Sequence, residues 1–210
     1  MAGAFRVKFY AFIIGVFALG EAGYVHAKSG KEGTTPNAER PAVSQMAEPK
    51  AAFQWSETRQ LSWNDFKGAV APASQHSAAA SHCGMSITAQ PGKENKPEII
   101  VTNSFYSSKS WVQPDGRFPE VLVHEQGHFD LCEIYTRKLR EKLSSVSEYN
   151  ADLKNIIETL YSQVDDEYQK SQRAYEEDTQ HGTDAGEQKK WLALISRELT
   201  VNTTGAMARQ

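Results

Sequence analysis

Residues 118–145 read FPEVLVHEQGHFDLCEIYTRKLREKLSS. Because an α-helix turns by about 100° per residue, the apolar side chains of this stretch fall on one broad face. Both histidines and one glutamate fall on the same face. Its members are Val121, His124, Glu125, His128, Leu131, Cys132, Tyr135, Leu139 and Leu143. The pattern predicts a long helix that packs on a hydrophobic core and has polar groups on its buried side.

Five consecutive residues of this helix, His124-Glu125-Gln126-Gly127-His128, form an HExxH motif. Residues four apart lie on one face of a helix, so both imidazoles can bind one metal ion. Glu125 lies beside them, where its carboxylate can take a proton from a zinc-activated water during hydrolysis. Buried polar groups are costly unless they have partners. We therefore interpret His124 and His128 as zinc ligands and Glu125 as a general base; histidines hydrogen-bonded within the core are the alternative.

A catalytic zinc ion usually has three protein ligands, so the third must come from outside the motif. The sequence predicts a second helix over residues 151–179, with its apolar residues on one face. If this helix continues, Asp178 falls on the apolar face and His181 close to its edge, whereas Glu176 and Glu177 point away. We predict His181 as the third ligand. Asp178 is the alternative ligand, or a carboxylate that orients an imidazole.

Two further histidines, His76 and His82, are also candidate ligands, but each lies in a stretch rich in alanine and serine. Such a setting favours a surface or strand residue. A hydrolase also needs a group that stabilises the negative charge that develops on the substrate oxygen. Tyr168, Tyr175 and His181 are the candidates, and the sequence does not choose among them.

The N-terminus has the pattern of a secretory signal. Arg6 and Lys8 accompany an apolar run from Phe9 to Leu19, and a small-residue cleavage site ends at Ala27. The run has 11 residues, short of the roughly 20 that a membrane-spanning helix needs. We predict a signal peptide over residues 1–27, no stable membrane span after cleavage, and a periplasmic or secreted protein. A retained N-terminal anchor is the alternative.

The rest of the chain divides into a linker and one folded domain. Residues 28–52 show no apolar periodicity, which predicts a disordered linker. The domain is expected over residues 53–205. Strands are predicted at Ser81–Ala89 and Glu98–Phe105, and a third helix over residues 186–199, after the two already described. Strands followed by helices indicate an α+β domain.

Charge and cysteine content narrow the classes of function and fold. A formal charge of −3 over 210 residues provides no attraction for a phosphate backbone, so nucleic acid is not an expected partner. Two cysteines are too few for a fold built on several disulfides. In an exported protein, Cys83 and Cys132 can form one disulfide. Two buried free thiols are the alternative.

Several separated motifs resemble one family. They are Leu61-Ser62-Trp63-Asn64-Asp65-Phe66-Lys67-Gly68, Ser110-Trp111-Val112, residues 122–130, and residues 175–182 followed by Gln188 and Trp191. Together they resemble the bacterial family named domain of unknown function 922, over about Leu61 to Leu199. Its members are described as secreted zinc-dependent proteases of the zincin type. The resemblance therefore implies a zincin-like fold, a Zn²⁺ cofactor and a protein or peptide substrate.

The resemblance also implies how a substrate would bind. In zincins an extended peptide pairs with an edge strand that precedes the HExxH helix, and Glu98–Phe105 is the candidate strand. The family reads Tyr-Asp-x-Glu-Thr-x-His-Gly where this chain has Tyr175 to Gly182 as YEEDTQHG. The shorter acid at Asp178 favours His181 as the ligand. A zinc hydrolase of another amide bond, such as a cell-wall amide, and a non-catalytic periplasmic binding domain are the alternatives.

Overall fold

The computed structural model describes residues 8–10, 52–70, 77–91, 97–146 and 152–207. Within them the protein has a mixed α+β fold, with the strands preceding the helices along the chain as the sequence predicts. The strands are β1 (Lys8–Tyr10), β2 (Ala52–Gln54), β3 (Ala79–Ala80), β4 (Cys83–Pro91), β5 (Pro97–Tyr106) and β6 (Trp111–Val112). The helices are α1 (Pro119–Ser144), α2 (Leu153–Thr179) and α3 (Ala185–Met207).

The larger sheet is antiparallel and has the strand order β1-β4-β5-β2. Its central pair runs from Cys83 opposite Phe105 to Pro91 opposite Pro97. The β-branched residues of β5, such as Ile99 and Val101, suit the pleated and half-buried surface of such a sheet. A second, two-stranded sheet pairs β3 with β6. The predicted strands Ser81–Ala89 and Glu98–Phe105 correspond to β4 and β5.

The prediction that Glu98–Phe105 forms an edge strand holds only in part, because β5 lies between β4 and β2 in the sheet. This segment lies within β5, which pairs with β4 along its length and with β2 at Ser104 to Tyr106. The guanidinium of Arg140 from α1 donates to the carbonyl oxygen of Val101 (2.8 Å) on the remaining side. On that side β2 and Arg140 thus use backbone groups of β5 between Val101 and Tyr106, and among the described residues no strand pairs there with Glu98 to Ile100.

Helix α1 begins with Pro119, a residue preorganised for the first turn because its φ is fixed and it has no N–H to satisfy. Its apolar face packs on the sheet, and Phe129 contacts Phe105 edge to face at 5.5 Å between ring centroids. The opposite face is covered as well. Gln126 is buried and accepts a hydrogen bond from the backbone N–H of Leu61 at 2.7 Å. Helix α1 is thus a central helix, which explains its many buried polar residues.

Helix α2 ends at Thr179, as the sequence predicts, and does not continue to His181. Gln180, His181 and Gly182 have φ values of 48°, 56° and 79°, so three consecutive residues lie in the left-handed region. Only glycine adopts this region without strain. The chain therefore turns sharply after Thr179, and a helical wheel no longer describes where the side chain of His181 points. Helix α3 extends eight residues beyond the predicted end at Leu199, to Met207.

The two cysteines are buried free thiols. Cys83 begins β4 and Cys132 lies on α1, and the interaction with the Cys132 thiol is the main cause that lowers the pKa of Cys83. Cys83 Sγ also contacts the Tyr168 hydroxyl at 3.6 Å and the His128 carbonyl oxygen at 3.7 Å. The structure therefore has two buried free thiols in place of the expected disulfide, although the two cysteines are neighbours, as a disulfide would require.

Most of the N-terminal predictions fall outside the described residues, including nearly all of the predicted signal peptide, residues 28–51 of the linker, and His76. The described part of the predicted signal peptide is β1, which pairs antiparallel with Ser86 to Thr88 of β4. Among the described residues, no helix has the length and apolar content needed to cross a membrane.

Candidate metal centre

Three side chains converge where α1 and α2 cross. His124 Nε2 lies 3.1 Å from His128 Nε2, and Glu176 Oε1 lies 2.9 Å from His128 Nε2. The other oxygen, Glu176 Oε2, lies 3.6 Å from His124 Nε2. One ligand atom from each residue lies within 4.8 Å of the others, and all three residues are buried. Two imidazoles and a carboxylate aimed at one point form a donor set suited to a metal ion.

The third member of this cluster differs from the sequence-based choice. Glu176, expected to point away, is 8% exposed and contacts both histidines. His181 lies outside the three-residue cluster. Asp178 is exposed and accepts a hydrogen bond from the indole of Trp191 at 3.0 Å. Glu176 was missed because the face of α2 that lies against α1 differs from its apolar face, and only the apolar face was used to predict which side chains are buried.

His181 stands behind the carboxylate. Its Nδ1 lies 2.6 Å from Glu176 Oε2, and its side chain is 65% exposed. The left-handed turn brings it there, and the same turn places Gly182 against His124. A Cβ on Gly182 would lie 2.8 Å from His124 Cγ. The turn therefore both orients Glu176 and covers one imidazole. One sequence signal pointed to Glu176: an acid follows the tyrosine both here and in the family pattern.

The remaining nitrogen of each imidazole faces a glutamine. His128 Nδ1 lies 2.5 Å from Gln172 Oε1, one turn before Glu176 on α2. His124 Nδ1 lies 3.0 Å from Gln188 Oε1, on α3. Sequence reasoning gave no role to Gln172 and included Gln188 only among the motifs shared with a family. Helical spacing links Gln172 to Glu176, four residues apart, but no local pattern links Gln188 to the site.

Tyr175 fills the space between the three helices. Its ring stacks on His124, with centroids 4.7 Å apart and planes inclined by 17°. Its hydroxyl donates to the His124 carbonyl oxygen at 3.1 Å and accepts from Gln188 Nε2 at 2.6 Å. The tyrosine is completely buried, and burial raises the pKa of its hydroxyl above the ordinary value. It thus serves as a neutral donor that supports His124.

Gly127 makes room for Tyr175. A Cβ at this position would lie 2.8 Å from Tyr175 Cζ and still closer to the hydroxyl oxygen. Gly127→Ala should gain about 1 kcal/mol in helix propensity and lose about 1–3 kcal/mol by overpacking. We expect a net decrease in the free energy of unfolding, measured by urea titration, together with weaker metal binding. Tyr175→Phe in the same chain should recover part of the loss, because it removes the closest atom.

A more stable Gly127→Ala protein would contradict this packing argument. Gly186→Ala is the matched control, since a Cβ there would lie 3.3 Å from a flexible aspartate oxygen.

Glu125 is buried and anchored from outside its own helix. The backbone N–H of Ser81 donates to Glu125 Oε2 at 2.7 Å, and the Ser81 hydroxyl makes a short hydrogen bond to the same oxygen. The hydroxyl also lies 3.1 Å from the Glu125 carbonyl oxygen. Because both bonds of Ser81 go to Oε2, Ser81 leaves Oε1 available for a proton. Sequence reasoning missed Ser81, which lies 44 residues from Glu125.

The electrostatics of the cluster favour a cation. Burial opposes the charged form of His128, but the hydrogen bond and charge of Glu176, with the charge of Glu125, raise the His128 pKa to about 9. Burial also opposes ionisation of Glu176, but hydrogen bonds from both histidines hold its pKa well below the usual range. The cluster thus pairs a carboxylate with a protonated imidazole, so a bound metal ion would displace a proton.

The other candidate residues lie elsewhere. Burial, and then the charge of Lys109, lower the pKa of His82 to about 4, which favours the neutral imidazole. His82 also lies outside the three-residue cluster. Tyr168 lies with the two cysteines, not with the cluster. Of the three candidates for stabilising a developing negative charge, Tyr168 and Tyr175 are buried and His181 is exposed at the edge of the site.

Comparison with known protein families gives a match over part of the chain. Neither the curated proteins nor the solved structures contain a match to this chain. Over residues 105–182, which include both histidines, Glu125 and Glu176, the chain matches the family described as a bacterial protein of unknown function (DUF922), and this match supports the family name that the motifs indicated.

Proposed function

We propose that the protein is a zinc-dependent hydrolase of peptide bonds with a zincin-like site. The observation that carries the proposal is the buried cluster of His124, His128 and Glu176 beside the anchored carboxylate of Glu125. His124 and His128 come from an HExxH helix, and Glu176 completes a set of three protein ligands. A set of three leaves a coordination position open for water or substrate, as in catalytic zinc sites.

The donor atoms favour zinc over the common alternatives. Calcium and magnesium prefer oxygen ligands, whereas two of the three donors here are imidazole nitrogens. Iron(II) also binds two histidines and one carboxylate in some oxygenases. Glu125 favours hydrolysis, because a carboxylate next to one ligand supplies the base that activation of water requires. His181 is reassigned in this proposal from ligand to partner of Glu176.

The roles of the residues follow from their contacts. When bound, zinc lowers the pKa of water towards neutrality and polarises a carbonyl group. Ser81 holds Glu125 Oε2, so that Oε1 takes the proton of the attacking water. His181 and the two glutamines hold the three ligands in place. The ring of Tyr175 stacks on His124 and supports it, and the neutral hydroxyl of Tyr175 adds no charge to the site.

A peptide substrate is favoured by the sheet. The outer side of β4 is paired with β1, which belongs to the predicted signal peptide. Cleavage near Ala27 would remove β1 and expose a free strand edge, and extended peptides bind such edges by adding a strand. Because β4 begins at Cys83, which contacts the His128 carbonyl oxygen, that edge leads to the metal centre. We therefore move the substrate edge from β5 to β4.

The test begins with metal analysis of protein expressed from the full chain with its own leader. We expect about one zinc per chain, and hydrolysis of some members of a mixed peptide library, followed by mass spectrometry. A chelator should abolish cleavage and added zinc should restore it. Cell-wall amides form the second arm of the screen, and cleavage there alone would replace the substrate class. Absence of zinc would contradict the metal site itself, and stoichiometric iron would favour an oxygenase.

A further inference from the structure

Each ligand imidazole is held by a glutamine that also reaches the backbone carbonyl of the same histidine. Gln172 Oε1 lies 2.5 Å from His128 Nδ1, while its amide nitrogen donates to the His128 carbonyl oxygen at 3.0 Å. Gln188 Oε1 lies 3.0 Å from His124 Nδ1. Its amide nitrogen reaches the His124 carbonyl through the Tyr175 hydroxyl, in steps of 2.6 and 3.1 Å. We call Gln172 and Gln188 the glutamine clamps. They hold their histidines in the same way, although Gln172 lies on α2 and Gln188 on α3.

The carbonyl contacts determine which end of each amide faces the imidazole. An amide nitrogen only donates and an amide oxygen only accepts. If the amide of Gln172 were reversed, its oxygen would face the His128 carbonyl oxygen and neither would have a hydrogen to share. The same reversal at Gln188 would leave the Tyr175 hydroxyl, which already donates to His124, facing a second acceptor without a donor. The hydrogen-bond network thus assigns the oxygen to the imidazole side.

The orientation of each amide in turn determines the tautomer of its histidine. Since Oε1 accepts, Nδ1 must carry a hydrogen, so Nε2 is the nitrogen that presents a lone pair once a metal ion displaces the additional proton of the cluster. Both Nε2 atoms point into the cluster with Glu176, where that lone pair is required. We infer that Gln172 and Gln188 are positioning residues that fix His128 and His124 in the tautomer that binds metal through Nε2. This inference rests on the proposed metal site.

A neutral amide suits this site better than the carboxylate that often occupies the same place behind a ligand. Two buried carboxylates, Glu125 and Glu176, are already present. A third would add negative charge close to the base and would face the His128 carbonyl oxygen without a hydrogen to donate. Glutamine fixes the tautomer and satisfies the carbonyl at the same time, with no additional charge.

The test compares a variant that keeps size with one that keeps the acceptor. Gln172→Met and Gln188→Met retain the length of the side chain but remove the acceptor, and Gln172→Glu retains it. Gln163→Met is the matched control, because Gln163 lies exposed on the same helix as Gln172. Zinc affinity is measured by chelator competition on the full chain. Two-dimensional nitrogen-15 spectra of the zinc-loaded protein show which ring nitrogen carries the hydrogen.

We expect each methionine variant to lose about 10–100-fold in zinc affinity, the range found for groups that orient ligands. Each should also lose the protected Nδ1–H signal of its own histidine. Gln172→Glu should keep that signal, and Gln163→Met should match the wild type in both measurements. If the methionine variants keep wild-type affinity and both Nδ1–H signals, the positioning role is wrong while the metal site stands. If the wild type binds no zinc, both proposals fail.

Discussion

Replacing Glu176 with glutamine is expected to weaken zinc binding by more than ~10–100-fold, the loss that follows removal of a group that hydrogen-bonds to a metal ligand. Glu176 contacts both histidines and supplies the only carboxylate of the cluster. An amide keeps the size of the side chain but loses the negative charge. His181→Ala should cost less, towards the lower end of that range, because the His181 imidazole hydrogen-bonds to Glu176 Oε2 and is largely exposed.

The measurement is a chelator-competition titration of both variants at one pH, with circular dichroism to confirm that each is folded. Glu177→Gln is the matched control, since Glu177 is the next residue of α2 and is exposed. The order of the two losses decides between the ligands. A larger loss for His181→Ala than for Glu176→Gln would restore His181 as the third ligand, as the sequence alone predicts.

Replacing Glu125 with glutamine is expected to leave zinc binding within a few-fold of the wild type and to reduce hydrolysis by about 10²–10⁴-fold, the usual contribution of a general base. Glutamine fits the same space and can still accept the two hydrogen bonds from Ser81. It cannot take a proton from water. The change therefore separates the chemistry from the metal site, which a variant of a ligand cannot do.

Activity is measured on the peptide that the library screen identifies, with the zinc content of each sample determined in parallel. Glu120→Gln serves as the control, because Glu120 lies exposed in the first turn of the same helix. Full turnover by zinc-loaded Glu125→Gln would remove Glu125 from the role of base. Loss of zinc together with activity would instead make Glu125 part of the metal site.

The local sequence was sufficient for the elements of the fold. Helix α1 was predicted at 118–145 and lies at Pro119–Ser144, and α2 lies within its predicted range. Strands β4 and β5 are also where their composition places them. These elements depend on periodicity and on end signals such as Pro119, which act over a few residues. The position of β5 within the sheet does not depend on such signals, so its prediction as an edge strand held only in part.

The third member of the cluster, Glu176, could not be predicted from the local sequence. A helical wheel takes the apolar face as the buried face, and that face of α2 runs through Val164 and Tyr168. Near its end α2 also contacts α1 and α3, and Tyr175, Glu176 and Thr179 are all buried there. Two neighbouring faces are thus covered at once. The left-handed turn at Gln180 then removes His181 from the helical periodicity altogether.

The sequence by itself determined the α+β order of elements and the pairing of His124 with His128, because helical spacing alone places residues four apart on one face. It also placed Glu125 beside them. Only the tertiary structure brought Glu176 to the two histidines, Ser81 to Glu125, and the two glutamine clamps to the imidazoles. These contacts join residues separated by 44 to 64 positions along the chain. Such contacts depend on how three helices and a strand end pack together, and no local period encodes that packing.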